Sequence, residues 1–415
     1  MKGTHAARTL VLVLVACSWT APALAQTPPP AQTAATLQTT PAGQATPASQ
    51  GASPAQATPS DQANAPAQPP NTLDRRQQFP PTDETKLLSL NGVLRSAYQG
   101  ITSGEVAGEN AAARGYGAGS FELSLAVRPT PYMRVFVDAE GLAGRGPEQA
   151  LGSLSEVNSD ADLLEDSQSN ILLQEFWLRF AMADGKIRLS VGKLDPAHYF
   201  DRNSYAEDDT TQFMDAALLN DPMLKPPPNA LGATLRFTVG EWRYAFGVHA
   251  PDELGGDLSG RPYLIAEVGR RNILPVPGRW QWWVRTGSVE EDRARTTWGS
   301  GVSIDQSITP TVGVFVRCGL SRSEGETLTS TACAGGMQFT PGWWQRAKDR
   351  LGVGYTYQRE PAGSEKLMEA YWSFAVYKLL WVTADVQWLL SGPNQEQGGQ
   401  NRHVLVPGVR AALLF

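Results

Sequence analysis

Alternation of apolar and polar residues with a period of two recurs from about residue 88 to residue 415, and it constrains the fold more than any other feature. For example, Phe121, Leu123 and Leu125 alternate with Glu122 and Ser124. Successive side chains of a β-strand point to opposite faces, so the pattern predicts strands with one apolar and one polar face. About sixteen such segments are present, each near the ~9–11 residues that a tilted strand needs to cross a bilayer. They start near residues 88, 116, 132, 171, 186, 230, 242, 263, 279, 298, 311, 331, 349, 367, 381 and 404.

The lengths of the connections distinguish a membrane barrel from a soluble β-sandwich. Short turns such as 129–131, 184–185 and 240–241 alternate with longer connections. Short turns on one side and long loops on the other are typical of outer-membrane barrels. The sequence therefore predicts an all-β, transmembrane antiparallel β-barrel of about 16 strands, with residues 87–415 as the barrel domain. The predicted longer connections are 101–114, 143–170, 194–229, 250–262, 287–297, 322–330, 359–366 and 391–403.

The residues before the barrel predict secretion. Lys2 and Arg8 precede an apolar run too short to span a bilayer, and Ala23-Leu24-Ala25 offers a cleavage site, so residues 1–25 are predicted to be a signal peptide. Leu14-Val15-Ala16-Cys17 offers a competing site, because it resembles the motif cut before lipidation of a cysteine. Residues 26–86 are rich in Pro, Ala and Gln and are predicted to form a disordered periplasmic leader, either a spacer or a tether to the cell wall.

Charge and histidine content narrow the function classes. Removing Lys2 and Arg8 takes the net charge from −6 to about −8, which argues against a nucleic-acid partner. His198, His249 and His403 are the histidines after the signal, and no Ser-His-Asp arrangement is legible. His198 beside nearby aspartates is weak evidence for a metal. We therefore expect no enzyme activity, no metal and no cofactor.

The polar face of the predicted strands would line the lumen, since barrels of 16–18 strands enclose an aqueous channel. A lining of arginines, carboxylates and aromatic rings suits a neutral polyhydroxylated solute, because charged groups bond hydroxyls and rings stack on apolar sugar faces. The many inward arginines leave a general or anion-preferring diffusion porin as the alternative. The inward strand residues predicted to line the pore include Arg95, Glu175, Trp177, Arg179, Arg236, Arg317, Glu369, Tyr371, Asp385 and Gln387.

Residues 192–222 break the alternation, and a loop of this length and polarity is usually functional or disordered. The run GKLDPAHYFDRNSYAEDDTTQFMDAALLND resembles the signature of the carbohydrate-selective porin family, the OprB-like porins. QEFWLRF before it, and MEAYW, VTADVQWLLSGPN and PGVRAALLF after it, resemble that family's other segments. The resemblance implies a sixteen-stranded barrel, narrowed by inward-folded loops, that passes glucose-like monosaccharides by facilitated diffusion. In the loop it marks Lys193, Asp195, Tyr199, Phe200, Asp201, Asn203, Thr211, Gln212 and Phe213.

Two roles remain open for the marked loop residues. They either contact the solute or only fold and anchor the loop, and direct solute contact is expected more of Glu175, Trp177 and Arg179. The function predicted from the sequence is an outer-membrane porin for sugars. The predicted partners are sugar solutes, outer-membrane lipid, the barrel-assembly machinery, which would recognise the terminal Phe415, and further copies of the chain in a homo-oligomer.

Cys318 and Cys333 fall on neighbouring predicted strands. A hairpin centred between Gly325 and Glu326 would place the two directly opposite each other, on the apolar face. Facing thiols in an oxidising compartment predict a disulfide. The alternative is two reduced cysteines that face lipid. Aromatic residues also gather at the predicted strand ends, as in the interfacial girdles of membrane barrels. Those predicted for the periplasmic girdle are Tyr132, Trp242, Trp280, Trp282, Trp343, Trp344, Trp381 and Phe415, and those for the outer girdle are Tyr98, Tyr116, Trp298, Tyr357 and Trp388.

Overall fold

In a computed structural model of the protein, the described residues are 86–159, 170–251, 261–289, 292–341, 346 and 348–415. The predicted signal peptide and cleavage site, Cys17, and the leader up to residue 85 lie outside these ranges. Trp343 and Trp344, expected in an aromatic girdle, lie outside them as well. The domain boundaries before residue 86 therefore stay predictions.

Sixteen long strands form the barrel, in the order of the sequence. They are β1 Leu88–Ile101, β2 Arg114–Thr130, β3 Met133–Gly144, β4 Asn170–Met182, β5 Ile187–Leu194, β6 Ala230–Val239, β7 Trp242–His249, β8 Tyr263–Arg271, β9 Gly278–Val289, β10 Asp292–Thr309, β11 Val312–Ser323, β12 Ser330–Phe339, β13 Arg350–Glu360, β14 Gly363–Ala375, β15 Leu380–Pro393 and β16 Gln400–Leu414.

Each strand pairs with its neighbours in antiparallel register, and β1 pairs with both β2 and β16, so the sheet closes on itself. Closure removes the free strand edges that would otherwise leave backbone groups unpaired in lipid. At the seam, the Gly92 amide donates to the Phe415 carbonyl at 2.8 Å and the Phe415 amide donates to the Gly92 carbonyl at 3.0 Å. The predicted closed antiparallel barrel of sixteen strands is confirmed.

The strand starts agree with the sequence prediction to within four residues, except at β10. This strand begins at Asp292 instead of near residue 298, and β14 begins at Gly363 instead of near 367. As a result, two connections predicted to be long, 287–297 and 359–366, are short links at 290–291 and 361–362. The residues added at the two strand starts are mostly polar in the sequence, so the apolar alternation that predicted the strands does not extend over them.

Exposure follows the alternation along the strands. In β2, Phe121, Leu123 and Leu125 are exposed on the outer face, whereas Glu122 and Ser124 are buried on the inner face. Most aromatic residues expected at the girdles, such as Trp242, Trp282 and Trp388, are exposed on the outside. Trp381 differs from this expectation, since it is 8% exposed and lies under the guanidinium of Arg350.

The remaining elements are short. A hairpin of Ser103–Val106 and Glu109–Asn110 extends the β1–β2 connection, and single helical turns occur at Glu148–Leu151, Pro196–His198, Ala216–Leu219 and Pro222–Leu224. Within the described ranges no helix has the length and apolar character needed to cross a membrane. Cys318 and Cys333 face each other in the β11–β12 register, with their Cα atoms 4.1 Å apart, and a disulfide joins them.

Candidate functional site

The connection between β5 and β6, residues 195–229, folds into the barrel. Asp195, Asp215 and Asp221 each begin one of its helical turns, and their carboxylates accept hydrogen bonds from Ala197 N, Leu218 N and Met223 N. Such N-caps satisfy amides that a short helical turn leaves without partners. The aspartates that made this segment look functional in the sequence therefore also shape its backbone.

Arginines of the barrel wall hold this inserted loop by its carbonyl groups. The Arg317 guanidinium donates to Ala206 O and Leu218 O, both at 2.7 Å, and its Nε lies 3.0 Å from an Asp201 carboxylate oxygen. Arg285 donates to Met223 O at 3.0 Å, and Arg410 donates to Gln212 O at 2.7 Å. We call the part of the lumen formed by β8–β16 and covered by this loop the covered wall.

Carboxylates and aromatic rings of the covered wall complete the anchoring. Glu369 accepts hydrogen bonds from Met214 N at 2.6 Å and from Asp215 N at 2.9 Å. The Phe213 ring meets Tyr371 edge-on, with 4.8 Å between ring centroids, and also packs against Phe315. The loop is thus held by both backbone hydrogen bonds and a buried apolar cluster.

A second segment, residues 148–159, also lies inside the barrel, and sequence reasoning did not predict its insertion. Gln387 donates to Val157 O at 2.6 Å, and the Asn158 amide donates to Gln99 at 2.7 Å. Glu365 accepts from Leu154 N and Ser155 N. The sequence predicted a long connection at 143–170, but its composition does not show whether it folds into the barrel or away from it.

Between the inserted loop and the inner faces of β1–β4 lies a cavity of about 510 Å³. We call this face of the barrel the open wall. The described residues around the cavity include nine carboxylates, two arginines and His198, and none of them is aromatic. The described lining of the cavity is therefore acidic and rich in hydrogen-bonding groups. The sequence predicted arginines, carboxylates and aromatic rings together, and the described lining lacks the rings.

Two charged clusters organise the open wall. Arg95 lies 2.9 Å from Glu122, 3.0 Å from Glu140 and 2.8 Å from Asp209 of the loop. One guanidinium on β1 therefore joins β2 and β3 to the inserted loop. Each cluster contains more carboxyl groups than cations, so the open wall is rich in acidic side chains.

In the second cluster, His198 Nδ1 lies 2.7 Å from Glu175, and His198 Nε2 lies 3.5 Å from Asp195. Desolvation lowers the pKa of His198, but the carboxylates of Asp195 and Glu175 outweigh it and raise the pKa to about 10. The imidazole is therefore a cation at neutral pH. These three side chains also have the spacing of a potential metal site.

The predicted site residues separate into groups in the structure. Arg95, Glu175 and Asp195 line the cavity. Trp177, Arg179 and Tyr199 are buried together, with the Arg179 guanidinium 4.2 Å from the Trp177 ring centroid. A third group joins the inserted segments to the barrel wall. Its members are Asp201 and Asn203 on the loop, and Arg317, Glu369, Tyr371 and Gln387 on the wall.

Three predicted residues occupy other positions. Lys193 pairs in register with the exposed residues Phe176 and Leu231, which places it with the outward-facing residues instead of in the lumen. Arg236 lies 5.7 Å from the Tyr199 ring centroid on the inner face. Asp385 is buried opposite Tyr371.

Comparison with known families supports the resemblance that the sequence predicted. Residues 282–415 match the family of carbohydrate-selective porins called OprB. The match includes the MEAYW, VTADVQWLLSGPN and PGVRAALLF segments. Because it begins at residue 282, it does not include the loop signature at 192–222. The OprB sequence pattern therefore covers β10–β16 and most of β9. None of the curated proteins matches this chain.

Solved structures extend the fold comparison to the whole barrel. OprB of Pseudomonas putida at high pH superposes with a TM-score of 0.64 at 13% identity, covering 79% of this chain and 94% of that chain. A loop L8 deletion mutant of OmpT from Vibrio cholerae gives 0.51 at 12% identity, covering 79% and 99%. The channel DcaP of Acinetobacter baumannii gives 0.50 at 11% identity, covering 79% and 97%. At these identities, the likeness shows that the OprB barrel and this one share the porin fold.

Proposed function

We propose that the protein is an outer-membrane porin through which sugars of glucose size diffuse passively. The observation that carries this proposal is the polar cavity of about 510 Å³, left where residues 195–229 narrow a closed sixteen-stranded barrel. A cavity of this size falls in the range of ~300–1,000 Å³ typical for small ligands. The OprB match over residues 282–415 points to carbohydrate as the solute.

A general or anion-preferring channel is the second candidate, suggested by the many inward arginines. Arg285, Arg317 and Arg410 donate to carbonyl groups of the loop, so they hold protein and do not face the cavity. The cavity itself is lined by more carboxylates than arginines. This distribution favours neutral solutes over anions.

The decisive experiment is a swelling assay on proteoliposomes that contain the purified mature protein. We expect glucose to enter faster than gluconate or an amino acid of similar size, and a larger sugar to slow glucose entry. Liposomes with heat-denatured protein give the background rate. Equal entry of all three solutes would contradict a sugar channel and leave only general diffusion.

The location follows from the same proposal. The outer face of the barrel presents exposed apolar residues to lipid, and residues 1–25 would direct secretion. Mass spectrometry of the mature chain should find Gln26 at the N-terminus. A lipidated Cys17 at the N-terminus would instead identify the competing processing site.

Partners beyond the solute are lipid, the barrel-assembly machinery and further copies of the chain. Phe415 closes the barrel seam and stacks on Phe121, with 6.4 Å between ring centroids. Deleting Phe415 should lower the yield of folded barrel in outer membranes, and a normal yield would contradict the assembly role. Crosslinking in outer membranes tests the homo-oligomer.

A further inference from the structure

Three side chains place metal-binding atoms together where the open wall meets the inserted loop. Glu175 lies on β4 and lines the cavity, and Asp195 and His198 belong to the first turn of the loop. One ligand atom from each of the three lies within 4.8 Å of those of the other two. The sequence gave only weak evidence for a metal at His198, because it does not show which carboxylates the fold brings to the ring.

The local fold explains why Asp195 and His198 lie beside each other. Asp195 caps the turn Pro196–His198, and residues three apart in a 3₁₀ turn lie on the same side. Asp195 Oδ1 accepts the capping hydrogen bond from Ala197 N at 2.8 Å, whereas Asp195 Oδ2 lies 3.5 Å from His198 Nε2. Across the ring, His198 Nδ1 lies 2.7 Å from Glu175 Oε1.

Neighbouring groups hold the Glu175 carboxylate in one orientation. Its Oε2 accepts a hydrogen bond from Trp177 Nε1 at 2.6 Å, and its Oε1 accepts one from Asp195 N at 3.3 Å. Hydrogen bonds of this kind orient metal ligands in proteins. Glu175 is therefore a fixed ligand, whereas the His198 side chain is 43% exposed and has room to turn.

A fourth carboxylate gives independent evidence for a ligand at this place. Asp138 lies directly opposite Glu175 in the β3–β4 register and lines the same cavity. It is 6% exposed, and its Oδ1 accepts no hydrogen bond within the part of the chain that the structure describes. A buried polar atom without a partner is costly, and like charges directly opposite each other destabilise an antiparallel sheet. A cation bound between Asp138 and Glu175 would remove both costs.

A β-bulge occurs at the same point. The register of β3 and β4 shifts between Asp138 and Ala139, so Gln174 is skipped in the pairing. Gln174 and Glu175 therefore both line the cavity, although successive residues of a regular strand face opposite sides. Bulges redirect side chains and are over-represented next to functional sites. We call the four residues Asp138, Glu175, Asp195 and His198 the carboxylate–histidine cluster.

We propose that the carboxylate–histidine cluster binds a divalent transition-metal ion, with zinc as the best match to its ligands. Zinc binds imidazole nitrogen together with carboxylate oxygen, whereas Mg²⁺ and Ca²⁺ prefer oxygen ligands alone. Without a metal, the protonated ring of His198 lies between the carboxylates. A metal that binds the ring displaces its proton to the solvent, since a ligating imidazole is neutral.

The bound ion would join the barrel wall to the inserted loop. Two of its ligands lie on strands β3 and β4, and the other two lie at the start of the loop. The ion would also occupy part of the cavity that these residues line. We therefore expect zinc to lower the single-channel conductance of the pore.

Isothermal titration calorimetry on the mature, full-length protein in detergent tests the site. The protein carries no affinity tag and is dialysed against EDTA and then against chelator-free buffer near neutral pH. We expect one Zn²⁺ per chain, bound at least about tenfold more tightly than Mg²⁺ or Ca²⁺. No stoichiometric binding of Zn²⁺, or equal affinity for Mg²⁺, would overturn the proposal.

Variants locate the bound ion. His198→Gln and Glu175→Gln should each weaken zinc binding at least about tenfold, and Asp138→Asn should weaken it severalfold. His403→Gln removes an exposed histidine that lies beside Trp388, and it should bind zinc like the wild type. Equal affinity in wild type and His198→Gln would contradict the site, and unchanged affinity in Asp138→Asn would remove Asp138 from it.

Folding is checked by heat-dependent migration on gels, and Asp195→Asn, which keeps an acceptor for the cap, replaces any variant that does not fold. In planar bilayers, micromolar Zn²⁺ should lower the conductance of the wild type and of His403→Gln but not of His198→Gln, and EDTA should reverse the effect. Zinc binding without a change in conductance would contradict the position in the lumen. The calorimetric test does not depend on the solute, so it still stands if glucose fails to enter liposomes.

Discussion

The covered wall and the open wall of the lumen use charged side chains in different ways. On the covered wall, arginines such as Arg285 and Arg317 are buried against loop carbonyls. On the open wall, carboxylates such as Glu122 and Glu175 face the cavity. An arginine that points into a barrel therefore gives no direct information about solute charge, because an inserted loop supplies it with acceptors before any solute arrives.

The strongest test of this difference is Arg317→Ala on the covered wall. The substitution leaves the Asp201 carboxylate and several carbonyls buried without their cation. We expect the free energy of unfolding to fall by about 3–5 kcal/mol. We also expect the single-channel conductance to rise as the loop leaves the wall. Arg322→Ala, an exposed arginine beside a long loop, is the control. A folded Arg317→Ala pore with wild-type conductance would show that Arg317 does not hold the loop.

A smaller loss is expected from Glu369→Gln. The carboxylate accepts hydrogen bonds from two loop amides, and an amide side chain replaces a charged acceptor by a weaker one. Urea unfolding should report a loss of about 1–3 kcal/mol. Glu360→Gln removes a partner of Lys225 at 3.5 Å instead, and it should cost less than about 1 kcal/mol. Equal losses for the two variants would contradict the anchoring role of Glu369.

Where the loop meets the open wall, Asp209→Asn should change selectivity more than stability. The Asp209 side chain is 31% exposed and contacts Arg95 at 2.8 Å. We expect unfolding to change by no more than about 1 kcal/mol. The reversal potential in a low-salt gradient should move toward anions. Asp184→Asn, in an exposed short turn, is the matched control. A large stability loss without a shift in potential would erase the distinction between the two walls.

The smallest expected effect is a response to alkaline pH at His198. The folded pKa of about 10 lies above the ordinary value of 6.5, so the imidazolium stabilises the folded state fully below about pH 6.5, and this contribution is lost as pH rises through 10. Because His198 lines the cavity, loss of its positive charge should also change the conductance between about pH 9 and pH 11. His198→Gln should remove that change and His403→Gln should keep it. An identical titration in the two variants would assign the change to another group.

The barrel was predictable because lipid outside and water inside impose opposite requirements on alternate residues. Phe121 and Glu122 meet these two environments, and their alternation is visible in the sequence. Where a strand extends beyond its apolar alternation, as at the start of β10, the sequence pattern gives no boundary. The hairpin centre between Gly325 and Glu326 correctly predicted that Cys318 and Cys333 lie directly opposite each other.

The site was predictable only in part. Parity along a strand assigned Arg95 and Glu175 to the lumen, where they line the cavity. Whether an inward side chain meets water or protein depends on how residues 195–229 and 148–159 fold, and these segments have no periodicity. Strand parity also predicted that Arg317 and Trp177 line the pore. The sequence could not show that the inserted loop and its neighbours bury both of them.

The seam between β1 and β16 has a consequence for the order of folding. Val93 pairs with Leu414, so nearly the whole barrel sequence must be present before these two strands meet. Contacts so distant in sequence carry a large loop-closure cost and make folding slow. Until the seam forms, β1 and β16 keep open edges that can pair with other chains. The time needed to form the seam between β1 and β16 therefore determines how long the chain stays vulnerable to aggregation.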